Sequence, residues 1–297
     1  MPRAYATVLI GCLILAVAGV AGAAETDWKA VEQALGKTGQ LQAGDVFRVG
    51  MPRTDLAVTV KGVRVRPGFA LGSYAAFAQV GDRAMVMGDL VLLDQEVPAV
   101  MSGLFAGGLD VTAVHNHLNE MSPHVMYVHY EGHGDAVQLA AALRQALSAS
   151  ATPLGPSPTS AATTPGPALD GKAIEQALGR SGRDAGGGVF QVTVPRAETI
   201  TEMGHPLLPA MGVTTVLNFQ PIADGKAAIT GDFVLLDKEV NAVARTLRQH
   251  GIDVTALHNH GLMGTPRLFY MHFWATDDAV KLAQGLKAAL EQTNSQK

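Results

Sequence analysis

The sequence is poor in cysteine, in charge and in aromatic residues, and each shortage excludes something. One cysteine, Cys12, stands among 297 residues. It falls inside an apolar run near the amino terminus, so a chain that loses this run has no thiol and no disulfide framework. Charged residues make up 16 % and aromatic residues 5 %, against 47 % hydrophobic. That balance describes an ordinary globular core under a lightly charged surface, with disorder confined to the ends and a linker. Lys and Arg number 22 against 26 Asp and Glu, for a net charge of −4. No basic footprint is left for DNA or RNA. Also missing are a glycine-rich phosphate loop opening a helix, a G-x-S-x-G elbow and an HExxH helix, which disfavours nucleotide, serine-hydrolase and zincin chemistry. Gly186-Gly187-Gly188 precedes a strand-like segment and reads as a loop.

The one long apolar run, Ala6 to Val20, follows Arg3 and ends at Ala21-Gly22-Ala23-Ala24. A short positive region, an apolar stretch and a small-x-small site predict a signal peptide over residues 1–24, and an exported, periplasmic or secreted protein. The run is shorter than the ~20 residues a spanning helix needs, and no transmembrane segment is predicted in the mature chain. Leu9-Ile10-Gly11-Cys12 loosely resembles a lipoprotein processing box. The apolar run continues past the cysteine, which favours a soluble form.

The chain repeats itself. His115-Asn116-His117 recurs as His258-Asn259-His260, and His129 recurs as His272, at a common offset of 143 (258 − 115). Asp27, Val46-Phe47, Pro52-Arg53, Gly88-Asp89, Glu96-Val97, Asp110 to Ala113, Pro123, Tyr127 and Asp135 to Val137 keep the same offset. Between Arg53 and Gly88 the register slips, and Phe77 aligns with Phe219. A period this long exceeds a solenoid unit of roughly 20 to 50 residues, so each copy is a domain-sized half. The predicted halves are residues 25–147 and 168–297. Residues 148–167 between them, with five prolines, read as a flexible, partly extended linker.

Each half is predicted to open with a short helix, Asp27 to Leu35 or Asp170 to Leu178, capped by its aspartate and stopped by Gly36 or Gly179. Strand-like segments follow at Val46–Val49, Leu56–Val65, Tyr74–Val80, Ala84–Met87 and Leu90–Leu93. A helix from Glu96 to Phe105, strands over Val111–His117 and His124–Tyr130 joined by a turn at Met121-Ser122-Pro123, and an amphipathic helix over Asp135–Leu147 complete the half. The expected class is α+β: two tandem helix and antiparallel-sheet domains related by a pseudo-twofold axis.

Residues two apart on a strand share a face, so His115 and His117 point together, and a hairpin at Pro123 brings His129 beside them. Three imidazoles with an open position are a catalytic zinc arrangement, in which the metal lowers the pKa of bound water to about 7. His258, His260 and His272 offer the same set. A single histidine is more often a buried structural residue; three at strand spacing, present twice, favour metal or catalysis. Glu96 and Glu239 are the expected carboxylate partners, as ligand, orienter or general base, against the simpler role of favouring a helix N-terminus. Asp89 and Asp232 read as turn residues, Asp110 and Asp253 as turn or cap residues. His124, His133 and His205 lack histidine counterparts. Phe269 to Trp274, unusually aromatic, reads as a buried strand in preference to a pocket wall.

With these residues assembled, Gly88 to Val97, Val111 to His117 and Pro123 to His129, and again Gly231 to Val240, Val254 to His260 and Pro266 to His272, the sequence resembles the LppY/LpqO family. This bacterial exported family is built around a domain of unknown function, and some of its members are lipoproteins. The resemblance implies export and carries no established activity. The spacing of His-x-His and a third His is also similar to that of acetolactate decarboxylase and a zinc-dependent ester hydrolase group, which implies zinc ligands at His115, His117 and His129, or at His258, His260 and His272. The function expected is a zinc-dependent hydrolase or lyase on a small carbonyl or ester ligand. The alternatives are a non-catalytic periplasmic binding or envelope-associated module with structural histidines, and a metal-storage or metal-delivery role.

Overall fold

Asp27 accepts a hydrogen bond from the Ala30 amide at the start of α1 (Trp28–Leu35), and Gly36 ends it at φ 79°, in the left-handed region glycine tolerates. The computed structural model describes Met1, residues 26–155 and residues 168–296. The predicted leader with Cys12, and residues 156–167 of the linker, lie outside the described residues.

After α1 come β1 (Gln40–Gln42), β2 (Val46–Pro52), β3 (Thr59–Val60), β4 (Val63–Arg64), α2 (Pro67–Ala70), β5 (Gly72–Val80) and β6 (Arg83–Leu93). Then follow α3 (Val97–Ala106), β7 (Asp110–His115), β8 (Met121–Ser122), β9 (Val125–Gly134) and α4 (Ala136–Leu147). The second half runs α5 (Gly171–Leu178), β10 (Gly182–Asp184), β11 (Phe190–Pro195), β12 (Ile200–Glu202), β13 (His205–Leu207), a 3-10 turn Pro209–Met211, β14 (Thr214–Ala223), β15 (Lys226–Leu235) and α6 (Asp237–Gln249). It closes with β16 (Asp253–His258), β17 (Gly264–Thr265), β18 (Phe269–Asp278) and α7 (Ala279–Leu290). Each half forms one six-stranded antiparallel sheet, in the orders β1-β2-β5-β6-β9-β7 and β10-β11-β14-β15-β18-β16, and one small three-stranded sheet. The α+β class and the duplication are as the sequence predicts.

Side chains alternate across the central strands. Ala84, Val86, Leu90 and Leu92 of β6 and Val128 and Tyr130 of β9 face α1, α3 and α4, meeting Val31, Leu104 and Leu143 in one core. The intervening Met85, Met87, Val91 and Tyr127 face the other way, into two clusters that mix residues of both halves. The two sheets therefore cover each other on the faces their helices leave bare. The three-stranded arms cross over: Val60 of β3 packs with Trp274 of β18, while Ile200 and Leu207 of β12 and β13 pack with Met85 and Met87 of β6.

Three expectations are corrected. Gly88-Asp89 makes no turn: β6 runs unbroken from Arg83 to Leu93. A Cβ at Gly88 would collide with the Tyr74 carbonyl oxygen, and one at Gly231 with that of Val216, so these glycines mark a close backbone approach. The segment Leu56–Val65 folds back on itself as β3 and β4 around Lys61-Gly62, at φ 47° and 81°. The Val60↔Val63 pairing matches Glu202↔His205 across Met203-Gly204, which makes Val63 the counterpart of His205, one residue on from the Gly62 of the constant offset. Finally, the linker begins later than predicted. The Ala151 amide bonds Glu96, and the Gly155 amide bonds the Gly36 carbonyl, so residues 148–155 belong to the first half.

Glu96 and Glu239 are also placed elsewhere than expected. Arg53, fully buried, donates to both Glu96 carboxylate oxygens at 2.7 and 3.2 Å and to the Val91 carbonyl at 2.8 Å. Glu96 further accepts from the Leu93 and Ala151 amides, each at 2.9 Å. Arg196 and Glu239 repeat this, with the Val234 carbonyl and the Leu236 and Asn294 amides in the matching places. A carboxylate with four donors has no lone pair left for a metal or a proton relay, so both are structural pins at the start of α3 and α6. The Arg53 guanidinium and the two amides hold Glu96 below the ordinary glutamate pKa against the opposing effect of burial.

Arg53→Met and Arg196→Met each strand a buried carboxylate, and each is expected to cost about 3–5 kcal/mol in urea denaturation at pH 7. Because Glu96 is depressed, the stabilisation it supplies is present above its unfolded pKa and fades as pH falls through the folded one. The variants should therefore converge on wild type in strong acid.

Candidate metal centre

The histidines lie between the two halves. His129 sits mid-strand on β9, opposite Asp89 of β6 on one side and Ala113 of β7 on the other; His272 sits likewise between Asp232 and Ala256. Since Val128 and Tyr130 face the helices, His129 and Asp89 face the second half. A register shift at Thr112 in β7, matched at Thr255 in β16, turns the strand ends that carry His115 and His258 toward the axis. The shifted threonines tie the halves together. The Thr112 hydroxyl donates to the His260 carbonyl, and the Thr255 hydroxyl to the His117 carbonyl at 2.6 Å.

The sequence predicts one triad per half; the structure interleaves them. His115 stacks on His258 with ring centroids 3.6 Å apart, His117 on His272 at 3.6 Å, and His129 on His260 at 3.8 Å. Donor atoms of His115, His117, His258 and His272 lie within 4.8 Å of one another, as do those of His129, His258 and His260, and those of Asp89, His117 and His129. Asp89 approaches His117 and His129 at 3.8 and 3.9 Å, and Asp232 approaches His260 and His272 at 3.3 and 3.8 Å. Three of these gaps are too long for hydrogen bonds, and the one at 3.3 Å lacks the geometry of one, since His260 Nε2 has no partner. They are close to the separation of two ligand atoms that share one ion, since metal–nitrogen and metal–oxygen bonds of about 2.0–2.2 Å at a tetrahedral angle put the ligands roughly 3.3–3.5 Å apart. Tyr127 and Tyr270 back the set, each ring 3.3 Å from His117 or His260.

Ten buried atoms of this group have no hydrogen-bond partner among the described residues: both ring nitrogens of His115 and of His258, Nε2 of His117, His129, His260 and His272, and one oxygen each of Asp89 and Asp232. Stranding one such atom costs about 1–3 kcal/mol. The other nitrogen is occupied where the structure shows a bond: His272 Nδ1 meets the Gly231 carbonyl at 2.7 Å, which places its proton there and leaves the Nε2 lone pair able to ligate. Burial lowers every one of these histidine pKa values, and the neighbouring imidazoles add to the effect, with His115 near 2. Neutral imidazoles are the metal-binding form. Burial raises Asp89 to about 8, helped by the charge of Asp232, and Asp232 to about 6. The donor set fits a transition metal.

A cavity of about 290 Å³ opens onto both aspartates and onto His117, His129, His260 and His272. Its walls are unequal. One carries Arg48, whose guanidinium lies 3.6 Å over the Tyr74 ring and donates to the Ala210 carbonyl at 2.7 Å. The register puts Gln191 and Val216 in the corresponding places of the second half. Asn218 and Thr230 line the other wall.

The family model for a Domain of Unknown Function (DUF1259) matches residues 29–149 and again residues 172–292. The chain belongs to this family, in two copies. No curated protein matches it. Two solved structures are similar: a trimeric bacterial microcompartment shell protein, PduB, at 13 % identity, and EtuB from Clostridium kluyveri, at 8 %. Each alignment covers 86 % of this chain and 90 % of the other, with TM-scores of 0.23 and 0.20.

Sequence reasoning named all six histidines of this DUF1259 pair and missed the two aspartates. Their signal was present, since Gly-Asp recurs at the same offset as the histidines, but it reads as a turn. Arg48 and Tyr74 left no signal, being unrepeated. Among the described residues no helix is long and apolar enough to cross a membrane.

In metal-free protein the six buried histidines are neutral where the unfolded chain would be protonated, so stability falls as pH drops below about 6.5. The raised aspartates act in the opposite sense, two groups against six. The urea midpoint of chelator-treated protein is expected to be lower at pH 5.5 than at pH 7.5; an equal or higher midpoint would contradict the burial of these rings.

Proposed function

We propose that this chain is an exported metalloprotein whose two halves jointly hold a zinc-type centre and act on a small carbonyl or ester compound carrying a negative charge. The observation that supports this best is the set of ten partnerless buried polar atoms on eight side chains whose donors gather in three overlapping clusters. Structural histidines would find partners in the fold, whereas both nitrogens of His115 and His258 are without one. His117 with His272, and His129 with His260, form two pseudo-equivalent pairs, and each aspartate approaches one member of both. The ligand set thus divides into two like halves. Such a metal, when bound, polarises a carbonyl oxygen or activates water. Arg48 supplies the cationic wall that would orient a carboxylate beside it, and the 290 Å³ cavity limits the compound to a small one. The apolar leader-like run between Arg3 and Ala24, and the LppY/LpqO-like motifs, support export.

Elemental analysis of tag-free mature protein is expected to find about one or two equivalents of zinc or another transition metal. A variant with His115, His117, His258 and His260 changed to Ala should lose them while its circular dichroism persists. No metal in the wild type, even after incubation with zinc, would leave the alternative of a non-catalytic binding module.

With metal present, small monocarboxylates at millimolar concentration should raise the melting temperature of the wild type. Arg48→Met is expected to weaken their binding at least about tenfold, roughly the 1.4 kcal/mol of one charge-assisted contact.

A further inference from the structure

The pseudo-twofold gives every surface of one side a counterpart on the other, and the two arm tips do not match. Where the first arm crosses, Asp253 at the start of β16 is held by two cations, Lys61 at the tip of the arm, at 3.0 Å, and Arg248 of α6. Lys61 also faces Glu120, at 3.7 Å. A chain of ion pairs thus closes that tip. The backbone around it is repeated on the other side: the Leu109 amide bonds the Leu104 carbonyl as Ile252 bonds Leu247, and the Glu202↔Gly264 pairing repeats Val60↔Met121. Phe105 therefore stands where Arg248 stands, Asp110 where Asp253 stands, and Met203, Leu262 and Met263 where Lys61, Asn119 and Glu120 stand. Every polar residue of the tip except the aspartate has become apolar.

The side chains that result are left open. Phe105, Met203, Leu262 and Met263 are between 49 and 63 % exposed, and they are four of the eight large apolar side chains exposed among the described residues. Apolar side chains scattered singly over a surface need no explanation, whereas a cluster rimmed by polar groups marks an interaction site. Asp110 forms no ion pair among the described residues, whereas Asp253 forms two. The negative charge extends inward. Glu131, opposite Asp110 across β7 and β9, and Glu202, beside Met203, are buried and also without an ion pair among the described residues. Burial, together with the charges of Glu202 and Asp110, pushes Glu131 up to about 7. This side lacks the cations that the other side supplies for itself.

The occupant must bring what is missing. A second copy docked about a twofold axis would set Asp110 against Asp110, and residues 156–167 carry neither a cation nor a large apolar side chain. We propose that Phe105, Met203, Leu262 and Met263, around Asp110, form a docking surface for another protein, whose contact segment carries a lysine or arginine flanked by apolar side chains. The partner's cation takes the place at Asp110 that Lys61 and Arg248 fill at Asp253, and its apolar side chains cover the phenyl, leucine and methionine groups around it. Charge complementarity sets the orientation, and burial of the apolar anchors supplies the affinity. Leu262 and Met263 follow His260 in the chain, and the Met263 amide donates to Glu202 at 2.7 Å, so the partner touches a loop that begins at a donor of the metal centre.

The test is isothermal titration of mature protein, without the leader-like residues 1–24, with a synthetic peptide of repeated Leu-Lys-Lys-Leu units. Wild type is expected to bind one peptide, and to bind none when glutamate replaces every lysine of it. The variant Phe105→Arg with Met203→Lys copies the ion-paired tip; Lys61 already occupies the matching backbone position at φ 47°, against 50° for Met203. It should keep its circular dichroism and its zinc content and bind the peptide at least about tenfold more weakly. Because it also adds positive charge, the reciprocal variant is decisive: Lys61→Met, Asn119→Leu, Glu120→Met and Arg248→Phe copy the apolar tip onto the other side and should raise the stoichiometry from one peptide to two. Equal affinity in wild type and the first variant, or one peptide on the reciprocal variant, would overturn the proposal. So would association of wild type with itself, or with phosphatidylcholine vesicles in place of the peptide, that Phe105→Arg with Met203→Lys abolishes.

Discussion

Everything in this structure depends on two sheets that cover each other. Each half has helices for one face of its sheet only, and the bare faces, carrying Met85, Met87, Val91 and their counterparts, must be buried against something. They are buried against each other, so strands such as β6 are enclosed on both sides although the sheets are antiparallel. Residues on those faces are removed from water whatever their polarity. Asp89 and His129, directly opposed on neighbouring strands, lie on such a face, as do Asp232 and His272. The capacity of these groups to hold a metal follows from that geometry, because imidazoles kept neutral by burial are in the metal-binding form.

The halves share the centre and differ around it. His115 stacks with His258, His117 with His272 and His129 with His260, so two of the three donor clusters draw on both halves, and the third, Asp89 with His117 and His129, belongs to the first. Arg48 and Tyr74 flank the cavity where Gln191 and Val216 occupy the equivalent positions, so a symmetric centre is served by an asymmetric wall. The arm tips show the same divergence, ion-paired on one side and apolar around a single carboxylate on the other. Duplication supplied a twofold set of donor groups, and substitution near it broke the symmetry of the wall.

The ion pairs of Arg53 with Glu96 and Arg196 with Glu239 show how an exact repeat can mislead. Both pairs lie at the common offset, as the histidines do, and a carboxylate repeated beside repeated histidines invites a catalytic reading. Their work is to fasten a strand end, a helix start and the closing segment of each half through one saturated carboxylate. Repetition reports constraint on a position; what satisfies the side chain there reports its role.

The sequence by itself determined the duplication, the helix caps at Asp27 and Gly36, the antiparallel strands and the six histidines. Each is written in local spacing: an offset, a period of two, a cap residue beside a helix start. Only the tertiary structure decided that Gly88-Asp89 lies mid-strand, that Asp89 and Asp232 join the histidines, that Glu96 and Glu239 do not, and that the two triads interleave. Those outcomes turn on strand pairing within each half and on which face of one sheet meets which face of the other, and contacts between residues from a few tens to nearly 150 positions apart leave no periodic trace in the chain.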